Sequence, residues 1–182
     1  MTTLEHTFLD ATLAIALLAL LSFAVHQDLR EHRISNALTL AGFLGALILQ
    51  TLLDGAQGLA GALAGAGIGL LCFLPLYFSK GIGAGDVKLM ASAGAFFGPA
   101  DAFIAALLSL AAGAVLAIIV VAWRAVEFRA ATARHAIAAS GGSDTAPVQP
   151  QLRKLRFPYA AAIAMGVLAT MRLRGMLEVF IP

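Results

Sequence analysis

The sequence predicts an all-α, polytopic membrane protein of about six transmembrane helices with its N-terminus outside. Three observations lead there. Of the 182 residues, 60% are hydrophobic and only 12% charged, and the mean hydropathy of +0.91 lies far above that of an average soluble domain. The apolar residues fall largely in runs of about 20, the length of helix that crosses roughly 30 Å of hydrocarbon. The basic residues are unevenly placed: with the N-terminus outside, ten of the twelve Lys and Arg fall in cytoplasmic loops. A net charge of +2 suggests no nucleic-acid partner. Cys72 stands alone in an apolar run, which excludes an intramolecular disulfide and a cysteine-cluster zinc site.

Taken in order, residues 1–182 read as one integral membrane domain. The first ten residues carry Glu5, His6 and Asp10 but no Lys or Arg, unlike the basic start of a signal peptide, and read as a short outer tail. A first span, 8–26, ends in the polar run from His26 to Arg33, whose arginines place it in the cytoplasm. The second, 34–53, is uncharged and returns to Asp54 and Gly55 outside. In the third, 56–79, Gly61, Gly65 and Gly69 recur every four residues, a groove for a neighbouring helix, and Pro75 is placed to kink the inner end. The turn from Gly81 to Gly85 leads to a fourth span, 87–98. Its uncharged part is only about 18 Å long, too short to cross unaided, with Lys88 snorkelling towards the inner surface. Gly98-Pro99-Ala100-Asp101 reads as an outer turn, and 102–123 as a full span with Trp123 at the interface. A cytosolic loop, 124–156, begins as a basic extension of that helix and continues from Ser140 as a flexible Gly, Ser and Pro-rich linker. The last span, 157–171, allows Pro158 in its first turn. Arg172 and Arg174 would then lie outside, against the general asymmetry.

Two carboxylates stand out. Asp28 and Asp86 fall at the inner mouths of the first and fourth spans, on one side of the membrane, although 58 residues apart. An ionisable group near hydrocarbon depth costs roughly 2.5 to 3.5 kcal/mol on insertion scales and tends to face a bundle interior. Two carboxylates held close share one proton, so that one can act as base on a water while the other donates to a carbonyl. That is the chemistry of amide hydrolysis by an aspartic protease, which needs no metal, cofactor or covalent intermediate. Each residue also has a plainer reading. Asp86 is placed to N-cap the fourth helix, Asp28 to balance Arg30 or Arg33, Asn36 to cap the second helix or bond across helices, and Lys88 to anchor an interface. His26 and His32 read as interfacial residues; no metal site is expected. A proton-coupled transporter is the alternative of another class, but it wants ionisable groups at several depths, and the middle of every span is uncharged.

Asp28 followed by Arg33-Ile34-Ser35-Asn36, then Gly83-Ala84-Gly85-Asp86-Val87-Lys88-Leu89-Met90, then Phe157-Pro158-Tyr159-Ala160 with Gly166 beyond, resemble in this order the motifs of the type IV prepilin peptidases, intramembrane aspartic endopeptidases with a Gly-x-Gly-Asp motif. Ser35 stands where proline is usual, and Ala161 where a second proline often follows. The resemblance implies that Asp28 and Asp86 are catalytic, that Gly83, Gly85 and Lys88 belong to an active-site loop, and that Asn36 and Pro158 are structural. An extended substrate could add a strand-like contact along the Gly81 to Gly85 backbone. It implies as substrate a prepilin or pseudopilin, cut just before its apolar helix at the cytoplasmic face of the bacterial inner membrane. Bifunctional members carry an N-terminal region with paired cysteine motifs and also methylate their product. Here the first span begins almost at once and Cys72 is alone, so the resemblance points to the short, peptidase-only form of tight-adherence (Flp-type) pilus systems, without dependence on S-adenosylmethionine or another cofactor.

Overall fold

The computed structural model describes residues 3–31, 34–139 and 159–176, and these are helical except in turns. Five helices follow one another: α1 Thr3–Glu31, α2 Asn36–Phe78, α3 Ala84–Phe97, α4 Pro99–Ala139 and α5 Tyr159–Leu173. Three are long and apolar enough to cross a membrane, over Ala11–Glu31, Asn36–Phe78 and Pro99–Arg129. The expected linker from Ser140, together with Arg33 and Pro158, lies outside the described residues. The chain divides into two compact units, Met1–Gly113 with Pro158–Pro182, and Ala114–Phe157. In the second, α4 continues as an exposed helix on which Trp123 Nε1 donates to Glu127 Oε1 at 3.0 Å, one turn on.

Within the first unit the interior is built largely from small residues. Ala14, Ala24, Ala46, Ala93, Ala105 and Ala160 are all fully buried, whereas Ile15, Phe23, Ile48, Leu52 and Leu71 are exposed. Hydrocarbon is as apolar as leucine, so a membrane helix gains by close backbone approach and not by hiding its large side chains. On α1 the buried positions Leu13, Leu17, Leu20, Ala24 and Asp28 recur every three or four residues, so Asp28 continues the face that packs inward.

α2 is interrupted at Asp54 (φ −123°, ψ 16°) and Gly55 (φ 59°, ψ −135°). A β-carbon on Gly58 would overlap the carbonyl oxygen of Gln50. Residues eight apart in a straight helix are separated by about 12 Å, so the chain doubles back here into two arms. The break falls at the expected Asp54-Gly55 turn, and α2 runs through Pro75 without non-helical dihedrals. Its C-terminus closes by Gly81 N–H to Leu76 O (2.9 Å) and Lys80 N–H to Tyr77 O (3.0 Å). This is a Schellman motif with Lys80, at φ 60°, in the left-handed position usually held by glycine.

α3 lies against the second arm of α2 at backbone contact. A β-carbon on Gly65 would overlap Gly94 O, one on Gly94 would fall 2.5 Å from Gly65 O, and one on Gly69 would fall 2.6 Å from Met90 O. Two of the three glycines in the predicted groove thus make the contact, while Gly61 meets nothing within 4 Å. Gln50 Nε2 donates to Phe96 O (2.8 Å), and Ser92 Oγ to Thr39 O (2.6 Å). α3 is therefore tied to the first arm as well. Gly98 then turns the chain at φ 80°, ψ 177°, a region essentially confined to glycine, and Pro99 opens α4.

α5 packs through Ile163, Val167 and Met171, all fully buried. Gly166 meets Ser109 of α4 so closely that a β-carbon would overlap the serine, and Ser109 Oγ donates to Ile163 O at 3.3 Å. Arg174, one of the two arginines that broke the charge asymmetry, pairs through Nε with Asp101 Oδ2 at 2.6 Å. The pair joins the end of α5 to the start of α4.

Replacing Gly94 by leucine should force α3 off α2 and lower the midpoint of thermal unfolding, with an overpacking cost on the order of 1–3 kcal/mol. Gly61→Leu, facing open space, should leave it near the parent value. Equal effects at the two positions would refute the backbone contact.

Candidate active site

Asp28 reaches the site from the last turns of α1 and is only 7% exposed. Its Oδ2 accepts from the backbone N–H of Ala160 at 3.3 Å. Ala160 is the second residue of α5, within the first turn, where N–H groups have no acceptor inside the helix. The carboxylate thus meets both a free donor and the positive end of a helix dipole.

Asp86 is supplied by the first turn of α3, ahead of the apolar stretch 87–98. Gly83, at φ −82° and ψ 156°, is the N-cap, so Asp86 stands at the third helical position and not, as its plainer reading had it, at the cap. Its Oδ2 accepts from Gly83 N–H at 3.0 Å. Glycine has no side chain to return the bond, so only half of a capping box forms. Burial raises the Asp86 carboxyl to about 6; the Gly83 N–H opposes this, and the charge of Asp28 adds to it. The two aspartates therefore lie within electrostatic reach of each other.

The segment between α1 and α2 supports this arrangement. A β-carbon on Gly85 would lie 3.1 Å from Ile34 Cβ, so the start of α3 rests on Ile34. Ser35 N–H donates to Gln27 Oε1 (2.9 Å), and Ser35 Oγ accepts from Ala37 N–H (3.2 Å), capping α2. The serine that replaces the usual proline thus serves as the cap. Asn36, expected to cap or to bond across helices, does the latter: its Oδ1 accepts from Lys88 Nζ at 2.8 Å. Lys88, two residues past Asp86, is turned about 200° around α3 from it. It borders an apolar groove of about 480 Å³ with Asn36, Thr39, Leu40, Phe43 and Leu70. The structure therefore places Asp28 and Asp86 within electrostatic reach of each other, with Gly83 bonded to Asp86 and Gly85 resting on Ile34, and turns Lys88 to Asn36.

Tyr159 and Ala160 entered the sequence reading only as part of a matching stretch. Tyr159 lies within electrostatic reach of Asp86, and its ring meets Phe73 edge-on, with centroids 6.2 Å apart at 82°. A polar aromatic opening an apolar helix is a signal that could have singled out Tyr159. Ala160 acts through its backbone, and no residue type announces that.

A helical membrane protein with two aspartates gathered at one end of its bundle is the class that fold and site define. The model of the type IV leader peptidase family matches residues 15–118. The chain belongs to that family, and so to a family of peptidases. Comparison with curated proteins and with solved structures gave no match.

The raised carboxyl of Asp86 has a consequence for stability. Relative to an ordinary value of 3.8, the favoured protonated form is fully in place below about 3.8, and its contribution is lost as pH rises through about 6. Asp86→Asn, always neutral, should therefore unfold at a higher temperature than the parent at pH 8, by roughly 5 °C. The gap should close below pH 4; a variant less stable than the parent at pH 8 would contradict the burial argument.

Proposed function

We propose that the chain is an aspartic endopeptidase of the bacterial inner membrane that removes the leader peptide of a prepilin or pseudopilin at the cytoplasmic interface. The observation that carries this reading is that Asp28 and Asp86, from separate helices and each held by a backbone N–H, lie within electrostatic reach of each other. In this mechanism one carboxylate takes a proton from a water molecule, whose oxygen attacks the scissile carbonyl. The other, protonated, donates to the carbonyl oxygen, and the tetrahedral intermediate collapses with the proton passing to the leaving amine.

The reading includes the finer expectations: six spans with the N-terminus outside, the two arms of α2 crossing separately, and the active site at the inner face. The substrate's basic leader would remain in the cytoplasm, its apolar helix in the bilayer, and its scissile bond beside Asp28 and Asp86. It also takes the enzyme to be the peptidase-only form serving a tight-adherence (Flp-type) pilus. The strand-like substrate contact along Gly81 to Gly85 calls for a more careful probe than substitution of Gly85, because a side chain there would press on Ile34 and disturb packing as well. A β-carbon on Gly81 meets only ordinary contacts, so that position is the cleaner one.

Co-expression with the prepilin of the same genome tests the proposal. The parent should shorten the pilin, and Asp28→Asn or Asp86→Asn alone should reduce cleavage by at least about a hundredfold while the protein still inserts. Full cleavage by both variants would end the aspartic mechanism and bring proton-coupled transport to the fore.

A further inference from the structure

The family match ends at residue 118, yet the last helix, beginning at Tyr159, donates a hydrogen bond to Asp28 and lies within electrostatic reach of Asp86. We propose that the first turn of α5 is a positioning element of the active site, with the Ala160 N–H orienting the Asp28 carboxylate and the Tyr159 ring, seated between Phe73 and Gly113, fixing where that turn begins. This rests on the peptidase reading above and assigns a task to a part of the chain beyond the matched region.

Geometry supports it from three sides. Ala160 N–H has no acceptor within its own helix, and it points to Asp28 Oδ2 across 132 residues of sequence at 3.3 Å. That is longer than a mature charge-assisted bond, as hydrogen bonds in sites without substrate often are before they tighten. Tyr159 is located by two surfaces, the edge of Phe73 and a notch at Gly113 of α4, where a β-carbon would overlap the phenol oxygen. The register of α5 is locked further along, where Gly166 seats on Ser109 and Ile163 is fully buried. Gly166 is six residues from Ala160, about 9 Å along the helix, so a slip at that seat would carry the N–H off Asp28. Around Asp28 the titratable groups are Asp86 on α3, Tyr159 on α5 and, along its own helix, His26, Arg30 and Glu31, whereas Lys88 of α3 is turned to Asn36.

The test is the pH dependence of prepilin cleavage by the full-length protein in membranes, with thermal unfolding recorded for each variant. Ala160→Pro removes the N–H at a first-turn position, where proline breaks no bond within the helix. It is expected to lower kcat roughly tenfold or more and to move one limb of the profile to higher pH, because the charged form of Asp28 loses a donor. Movement of the acid limb would identify Asp28 as the base, and movement of the alkaline limb as the proton carrier. The conservative Ala160→Gly keeps the N–H and should restore both rate and limb. If Ala160→Pro fails to fold, Gly113→Ala decides: its methyl displaces the phenol and should lower kcat with little change in KM. That loss should not deepen when combined with Tyr159→Ala. A folded Ala160→Pro with the parental rate and profile, or Gly113→Ala cleaving at the parental rate, overturns the proposal. Failure of the parent itself to cleave would instead count against the peptidase reading.

Discussion

The backbone contact between Gly65 and Gly94 is the constraint on which the rest of the first unit depends. α3 has only 14 residues, about 21 Å of helix, so its own length cannot fix its depth. Its place is set by what it rests on. Gly65 and Gly69 of the second arm let α3 approach to contact between main chains, and the Gln50–Phe96 and Ser92–Thr39 bonds hold the first arm to it. In lipid there is no hydrophobic gain from pressing leucines together, so close packing and buried hydrogen bonds carry the association. The depth of Asp86 follows from the depth of α3.

Turn chemistry does the complementary work. The described reversals are made by residues that satisfy or relieve the backbone: Ser35 capping α2, Lys80 and Gly175 in left-handed positions closing α2 and α5, and Gly98 before Pro99. In α5 the closing bonds run from Gly175 N–H to Arg172 O and from Met176 N–H to Met171 O, the same motif as after α2. Orphan carbonyls are thereby satisfied, which a low-dielectric surrounding makes obligatory.

The two aspartates are held by one device used twice, a backbone N–H from the start of a helix. For Asp86 the donor is local, three residues back; for Asp28 it comes from the far end of the sequence. Burying a carboxylate is costly, and the raised value for Asp86 expresses that cost. A site that keeps such a group poorly solvated gives up stability for reactivity, as perturbed groups at functional sites commonly do.

The sequence by itself determined much of this protein. Uninterrupted apolar runs require helices because no other open structure satisfies its backbone in hydrocarbon, and Asp54-Gly55 and Gly98-Pro99 mark turns through dihedrals that few other residues reach. The glycine repeat of α2 announced a close helical neighbour, and Asp28 and Asp86 stood out because charge is rare in such a chain. Other features carried no local mark. From Ala11 to Val25 every position of α1 but Thr12 and Ser22 is apolar, so its inward face could not be read from periodicity. Ser35 rather than Asn36 caps α2, and Lys88 turns to Asn36, away from Asp86, because helical phase decides direction. Arg174 found Asp101, and Ala160 found Asp28, across long stretches of sequence. Only the tertiary structure decided these, for a physical reason: side-chain chemistry is written in the residue, whereas a main-chain donor is the same in every residue but proline, and its partner is chosen by packing.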